Sequence, residues 1–197
     1  NYVYPGGELP EKPVLITFDD GYYSNYEYAY PVLSELGMKA VIFTVGTSFG
    51  KTTYLDTDAP ITPHFGEKEA KEMTNSGVIS LQSHTYDMHR SENYEKNARY
   101  DMGQLAGETE EEYIDTVRED LIMSREFLEN LREDNVLALS YPKGKITDNA
   151  ARIAVEEGYT VTFSTNWGVQ ELARSRSVAV RREEKPHLKR CNVRKTS

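Results

Sequence analysis

Cysteine is almost missing from this 197-residue sequence, with Cys191 its sole example. A lone cysteine excludes an internal disulfide framework and a cysteine-built zinc finger. Tryptophan is as scarce, with Trp167 alone. No apolar run approaches the roughly 20 residues needed to cross a bilayer. Positive charge is in the minority: 23 Lys and Arg stand against 32 Asp and Glu, for a net charge of −9. Basic residues concentrate only over Arg174–Lys195, which reads as a solvated face. Nucleic acid is therefore excluded as a partner, because phosphate binding needs concentrated Lys and Arg. A secretory leader is missing too, and the sequence opens on Asn1 rather than Met. We expect residues 1–197 to be a single domain, cut from a longer protein that carries an N-terminal segment.

What is present suits one folded domain, with 38% apolar and 28% charged residues. Short β-rich runs at Val14–Phe18, Ala40–Val45, Val78–Gln82, Leu137–Tyr141, Tyr159–Phe163 and Val178–Arg181 read as buried strands. Helical patterns lie between them. Ser24–Leu36 stops at Gly37, and its Pro31 predicts a kink or a late start. Glu67–Asn75 ends before Gly77. Glu108–Leu131 carries Tyr113, Val117, Leu121, Ser124 and Leu128 on one stripe. Thr147–Glu157 has Thr147 as its N-cap. Loops are expected at 51–66 and 86–107. Strand–helix alternation predicts an α/β fold with a parallel sheet, open or closed into a barrel. Either form places a site at the C-terminal ends of the strands. The polar groups Asp19-Asp20, Ser83-His84 and Tyr141-Pro142 each follow a predicted strand and should converge there.

Two adjacent carboxylates at a strand end, as in Thr17–Gly21, repel each other unless a cation is near. Neighbours in an extended chain point to opposite sides, so one could bind a metal while the other works on water. A strand followed by an Asp-Gly turn is the plainer alternative. His84 and His89 stand five positions apart in His-Thr-Tyr-Asp-Met-His. That spacing is about 140° around a helix and opposite faces on a strand, so a shared metal demands a bent loop. Solvated loop histidines are the alternative. Asp20 with His84 and His89 would make a two-His, one-carboxylate set with open positions, a catalytic metal pattern.

These motifs, with Tyr141-Pro142-Lys143-Gly144, resemble the polysaccharide deacetylases of the NodB-homology type (carbohydrate esterase family 4). The style of the histidine motif resembles the branch that acts on poly-β-1,6-N-acetylglucosamine and related exopolysaccharides. The likeness runs from about Pro10 to Val193. It implies a distorted (β/α) barrel, mostly parallel, and hydrolysis of N-acetyl groups on an extracellular or cell-wall glycan of N-acetylglucosamine. It implies a divalent cofactor, Zn2+ foremost, with Co2+, Ni2+ or Mn2+ as substitutes. Asp19 would be the base, with Asp20, His84 and His89 the ligands. The Lys143 backbone N–H would donate to the oxyanion. Tyr141, Pro142 and Trp167 would contact substrate, Trp167 as a wall around the acetyl methyl. A bacterial extracellular or cell-surface location follows from the same likeness.

The sequence departs from that pattern in three places. Ser140 stands where the family often has an Arg bracing the catalytic Asp. No late strand ends in the His that protonates the leaving amine: His187 reads as part of an edge strand, and His64 as the lead-in to a helix. The related branch is often permuted, so the acid His is expected in the N-terminal segment outside this sequence. An O-acetyl esterase, as on acetylxylan, would use the same groups. A glycan-binding domain that has lost catalysis is the reading of another class, opposed by the retained Asp19. The tyrosines at 22, 23, 26, 28 and 30 suit packing, with sugar stacking as the alternative.

Overall fold

The computed structural model describes residues 14–132, 135–165 and 187–189. The strands are β1 (Ile16–Phe18), β2 (Ala40–Thr44), β3 (Ile79–Ser83), β4 (Ala138–Ser140), β5 (Val161–Ser164) and β6 (His187–Lys189). All neighbouring pairs are parallel and the order is sequential, β1 through β6. Right-handed crossovers in a sequential sheet put every helix on one face. Four α-helices supply that layer: α1 (Tyr30–Glu35), α2 (Glu67–Asn75), α3 (Glu110–Arg132) and α4 (Asp148–Glu156).

The sheet is curled into a half-barrel. A pair of rings shows how strongly. Phe43 on β2 and Phe163 on β5 have centroids 5.0 Å apart. On a flat sheet two intervening strands would hold them roughly 14 Å apart. Phe43, Val161 and Phe163 form a small cluster by themselves, the filling of the concave side. The larger core lies under the helices and includes Ile42, Leu81, Met73, Val117, Leu121, Leu139 and Ile153. Buried on both faces, β2 reads as a nearly continuous apolar run, whereas β3 also buries the polar side chains of Gln82 and Ser83.

Local signals explain most boundaries. Pro31 is a start signal, as expected: a π-helical turn over Asn25–Ala29 precedes it and α1 begins at Tyr30. Thr147 caps α4 by accepting from the Ala150 N–H at 3.1 Å. The stripe on α3 is buried throughout. Several strands are shorter than predicted, β1 and β4 by two residues each. Val14 and Leu15 are 85% and 55% exposed, because β1 pairs only from Ile16, where β2 begins at Ala40. The predicted strand at Val178–Arg181 lies outside the described residues. Residues 187–189 form β6, the edge strand read around His187.

Candidate metal centre

The strand registers bring the polar motifs to one rim. Phe18 pairs with Ile42, Thr44 with Ser83, and Ser83 with Leu139. One residue further along, Asp19, His84 and Ser140 meet at the C-terminal ends. The β3–β4 ladder is short there. The Gln82 side chain completes it by accepting from the Leu137 and Ala138 N–H groups at 2.9 and 2.8 Å.

Asp20 Oδ1 lies 3.3 Å from His89 Nε2 and 3.5 Å from His84 Nε2. The two imidazoles stand nearly perpendicular, with centroids 5.1 Å apart. Asp20 Oδ1 is buried yet makes no well-directed hydrogen bond. A buried carboxylate oxygen in that state normally costs free energy. The three donor atoms converge on a point, as ligands of a cation do. His84 is 2% exposed, and its Nδ1 is 2.7 Å from the Ser140 carbonyl oxygen. A carbonyl can only accept, so Nδ1 carries the proton and Nε2 presents a lone pair to the centre. Among the described residues Asp20, His84 and His89 fit a divalent metal, with coordination positions beyond them for water or substrate.

Electrostatics agree with that use. Burial alone would raise the Asp20 pKa. The His89 and His84 imidazoles and the Tyr22 hydroxyl more than offset it and hold it at about 2. Burial pushes the His84 imidazole below its ordinary value and favours the neutral ligand form. Burial and the Asp20 charge push the Tyr22 phenol up to about 12.

The backbone is bent where the candidate ligands are delivered. Asp20, Thr85 and Lys143 all have positive φ, at 71°, 72° and 55°. For a β-branched residue such as Thr85 this is a strained conformation. It supplies the bend that a five-residue histidine spacing requires. The N–H groups along that bend all find acceptors. His84 donates to the Thr44 carbonyl at 3.0 Å and Thr85 to Ser83 Oγ at 3.1 Å. Tyr86 and Asp87 donate to the two oxygens of Asp120 on α3, at 2.9 and 2.6 Å. Met88 donates to Thr85 Oγ1 at 3.3 Å.

The other expected site residues fall as follows. Asp19 is half-buried beside Asp20 at the β1 exit. Tyr141 is 2% exposed and packs in the core, so its phenol faces away from solvent. Pro142 is buried and opens a 3-10 turn, Pro142–Gly144, whose exposed middle residue is Lys143. A Cβ on Gly144 would come within 2.1 Å of Thr165 Oγ1, which pins this turn to the β5 exit. Ser140 stands where the family's Arg was expected, and its carbonyl braces His84. Trp167 lies outside the described residues.

Three residues at the centre were missed or undervalued in the sequence. Tyr22 follows the Asp pair and reaches back to Asp20. His64 does lead into α2, but it also bridges to Tyr22, with ring centroids 4.9 Å apart, and feels the charges of Asp20 and His89. Asp120 sits on the apolar stripe of α3, three residues after Val117 and four before Ser124. An acid on such a stripe is the signal that could have found it.

The family model for polysaccharide deacetylases matches residues 6–162. YxkH of Bacillus subtilis (strain 168) is 51% identical over 77 residues, covering 39% of this chain and 24% of that one. The poly-β-1,6-N-acetyl-D-glucosamine N-deacetylase of Staphylococcus aureus (strain MRSA252) is 33% identical over 88 residues, 45% of this chain and 29% of its own. The chain thus spans about a quarter of the length of these curated relatives. Among solved structures, the deacetylase domain of BpsB from Bordetella bronchiseptica superposes with a TM-score of 0.70 at 25% identity, covering 81% of this chain and 66% of that one.

Proposed function

The chain belongs to the polysaccharide deacetylase family, and from that premise we propose that it removes N-acetyl groups from an extracellular glycan containing N-acetylglucosamine. The observation that carries this reading is the buried Asp20 Oδ1, without a well-directed hydrogen bond, between two imidazole Nε2 atoms. The named activity of the Staphylococcus relative supports the choice of glycan.

Asp20, His84 and His89 would hold the ion, Zn2+ foremost, with Co2+, Ni2+ or Mn2+ as substitutes for this donor set. Bound there, it would supply Lewis acidity toward the acetyl carbonyl and make water easier to deprotonate. Asp19 accepts the proton of the attacking water. Such a base typically contributes 10²–10⁴-fold. The Lys143 N–H is the first of its 3-10 turn, so it has no acceptor inside the turn. It donates to the oxyanion, a contact worth about 2.7–4 kcal/mol. Tyr141 and Pro142 contribute through the shape of this turn.

Acetate release from N-acetylglucosamine oligomers, set against acetylated xylan, tests the proposal. Release from the amide substrate by the Zn2+-loaded protein, lost in Asp19→Asn, is the expected result. Faster release from the xylan would move the assignment to an O-acetyl esterase. Tight metal and oligomer binding with no release from either would favour a binding domain.

A further inference from the structure

We propose that Asp120 is a positioning residue for the metal centre, holding the bend that lets His84 and His89 face one ion. The inference rests on the reading of those histidines, with Asp20, as metal ligands. Asp120 belongs to the helix layer, 34 and 33 positions from the two residues it grips. Its oxygens take the consecutive N–H groups of Tyr86 and Asp87, which lie midway between the histidines. Two successive N–H groups aimed at one carboxylate form an anion nest, and gripping both fixes the orientation of two peptide planes.

The bend does not hold by local preference. Thr85 disfavours its φ of 72°, and Tyr86 and Asp87 would bury unsatisfied donors if the carboxylate were removed. Asp120 is only 7% exposed, which makes it a buried partner for those donors. The other contacts of the segment steady it without reaching those two donors. Gly46 and Thr47 donate to the Thr85 and Tyr86 carbonyls at 3.2 and 2.9 Å. Arg90 donates to the Asp87 side chain. Asp120 accepts from the loop N–H groups of Tyr86 and Asp87 and not from either histidine, so it acts through the loop.

Co2+ binding by the full chain, followed by visible absorption, separates this role from simple support of the fold. Asp120→Ala should bind Co2+ 10–100-fold more weakly than wild type, the range typical of lost outer-sphere partners. Asp120→Asn, with one acceptor oxygen, should fall between. Val117→Ala truncates a fully buried residue one turn earlier on α3. It should unfold at lower denaturant yet bind Co2+ as wild type does. Wild-type affinity in Asp120→Ala would overturn the proposal, as would an equal loss in Val117→Ala. Should Asp120→Ala fail to fold, Asp120→Asn decides on the same criterion. A wild-type chain that binds no Co2+ would instead overturn the metal reading itself, and this proposal with it.

Discussion

The exits of β3 and β1 both bring candidate metal ligands to the same point, but they are built differently. β3 is an interior strand of five residues, flanked by β2 and β4, and its exit is braced from three sides. The β2 exit holds its carbonyls, the Ser140 carbonyl holds His84, and α3 holds the bend through Asp120. Among the described residues β1 is an edge strand of three half-buried residues, preceded by exposed Val14 and Leu15. Its exit leans on one neighbouring segment. Phe65 donates to the Gly21 carbonyl at 3.1 Å, and Tyr23 donates to Pro63 at 2.7 Å. An interior strand can carry a strained loop because several elements share in fixing it. An edge strand needs a second loop folded over it, and residues 61–65 fill that role.

The sharpest way to break the comparison is to remove chemistry from each exit in turn. His84→Ala and His89→Ala on the β3 side, and Asp20→Ala on the β1 side, should each abolish stoichiometric metal binding, read by isothermal titration. Asp19→Asn, one residue from Asp20, should keep the metal and lose turnover by roughly 10²–10⁴-fold. Most activity surviving in Asp19→Asn would mean that the base lies elsewhere.

The next effect is on the brace of β1. Phe65 is fully buried, lies 3.6 Å from where a Gly21 Cβ would stand, and packs edge-on against Phe49. Phe65→Ala should cost about 3–5 kcal/mol in denaturant unfolding and weaken metal binding as well. A stability loss with unchanged metal affinity would mean that the β1 exit holds its own shape.

On the β3 side, burial pushes Asp120 up to about 6 from an ordinary value of 3.8, against the pull of the two N–H groups. The folded-state pKa is raised, so this group favours the folded state most at low pH. That contribution is lost as pH rises through about 4 to about 6. For a shift of this size the loss is at most about 3 kcal/mol. Metal-free wild type should therefore lose more stability over that window than metal-free Asp120→Asn. Parallel pH profiles for the two would remove Asp120 as the cause.

The same contrast governs what could be read from the sequence. The strand-end clusters were legible because each is local: Asp19-Asp20-Gly21 and the His84–His89 run sit within a few residues of a hydrophobic strand. Asp120 and His64 were not, because their partners lie far away in sequence and are met only through α3 and the folded-back loop. From strand–helix alternation alone the curl of the sheet was one of two options, and the motif resemblance is what implied the barrel. Sequential order and the contact of Phe43 with Phe163 decide it, and neither is written in strand periodicity.

The smallest effect belongs to a site remote from both exits. Thr147 caps α4 through Ala150 and also meets the Tyr113 hydroxyl at 2.5 Å. Thr147→Ala removes the cap, but Tyr113 keeps its bond to the Met102 carbonyl at 2.7 Å, so no buried donor is orphaned. The cost should therefore be that of a lost cap, about 1 kcal/mol, with Co2+ affinity unchanged. α4 packs on α3, which carries Asp120. If Thr147→Ala weakened metal binding, a disturbance would be reaching the bend through that helix contact. The β3 exit would then depend on the whole helix layer, not on the three braces next to it.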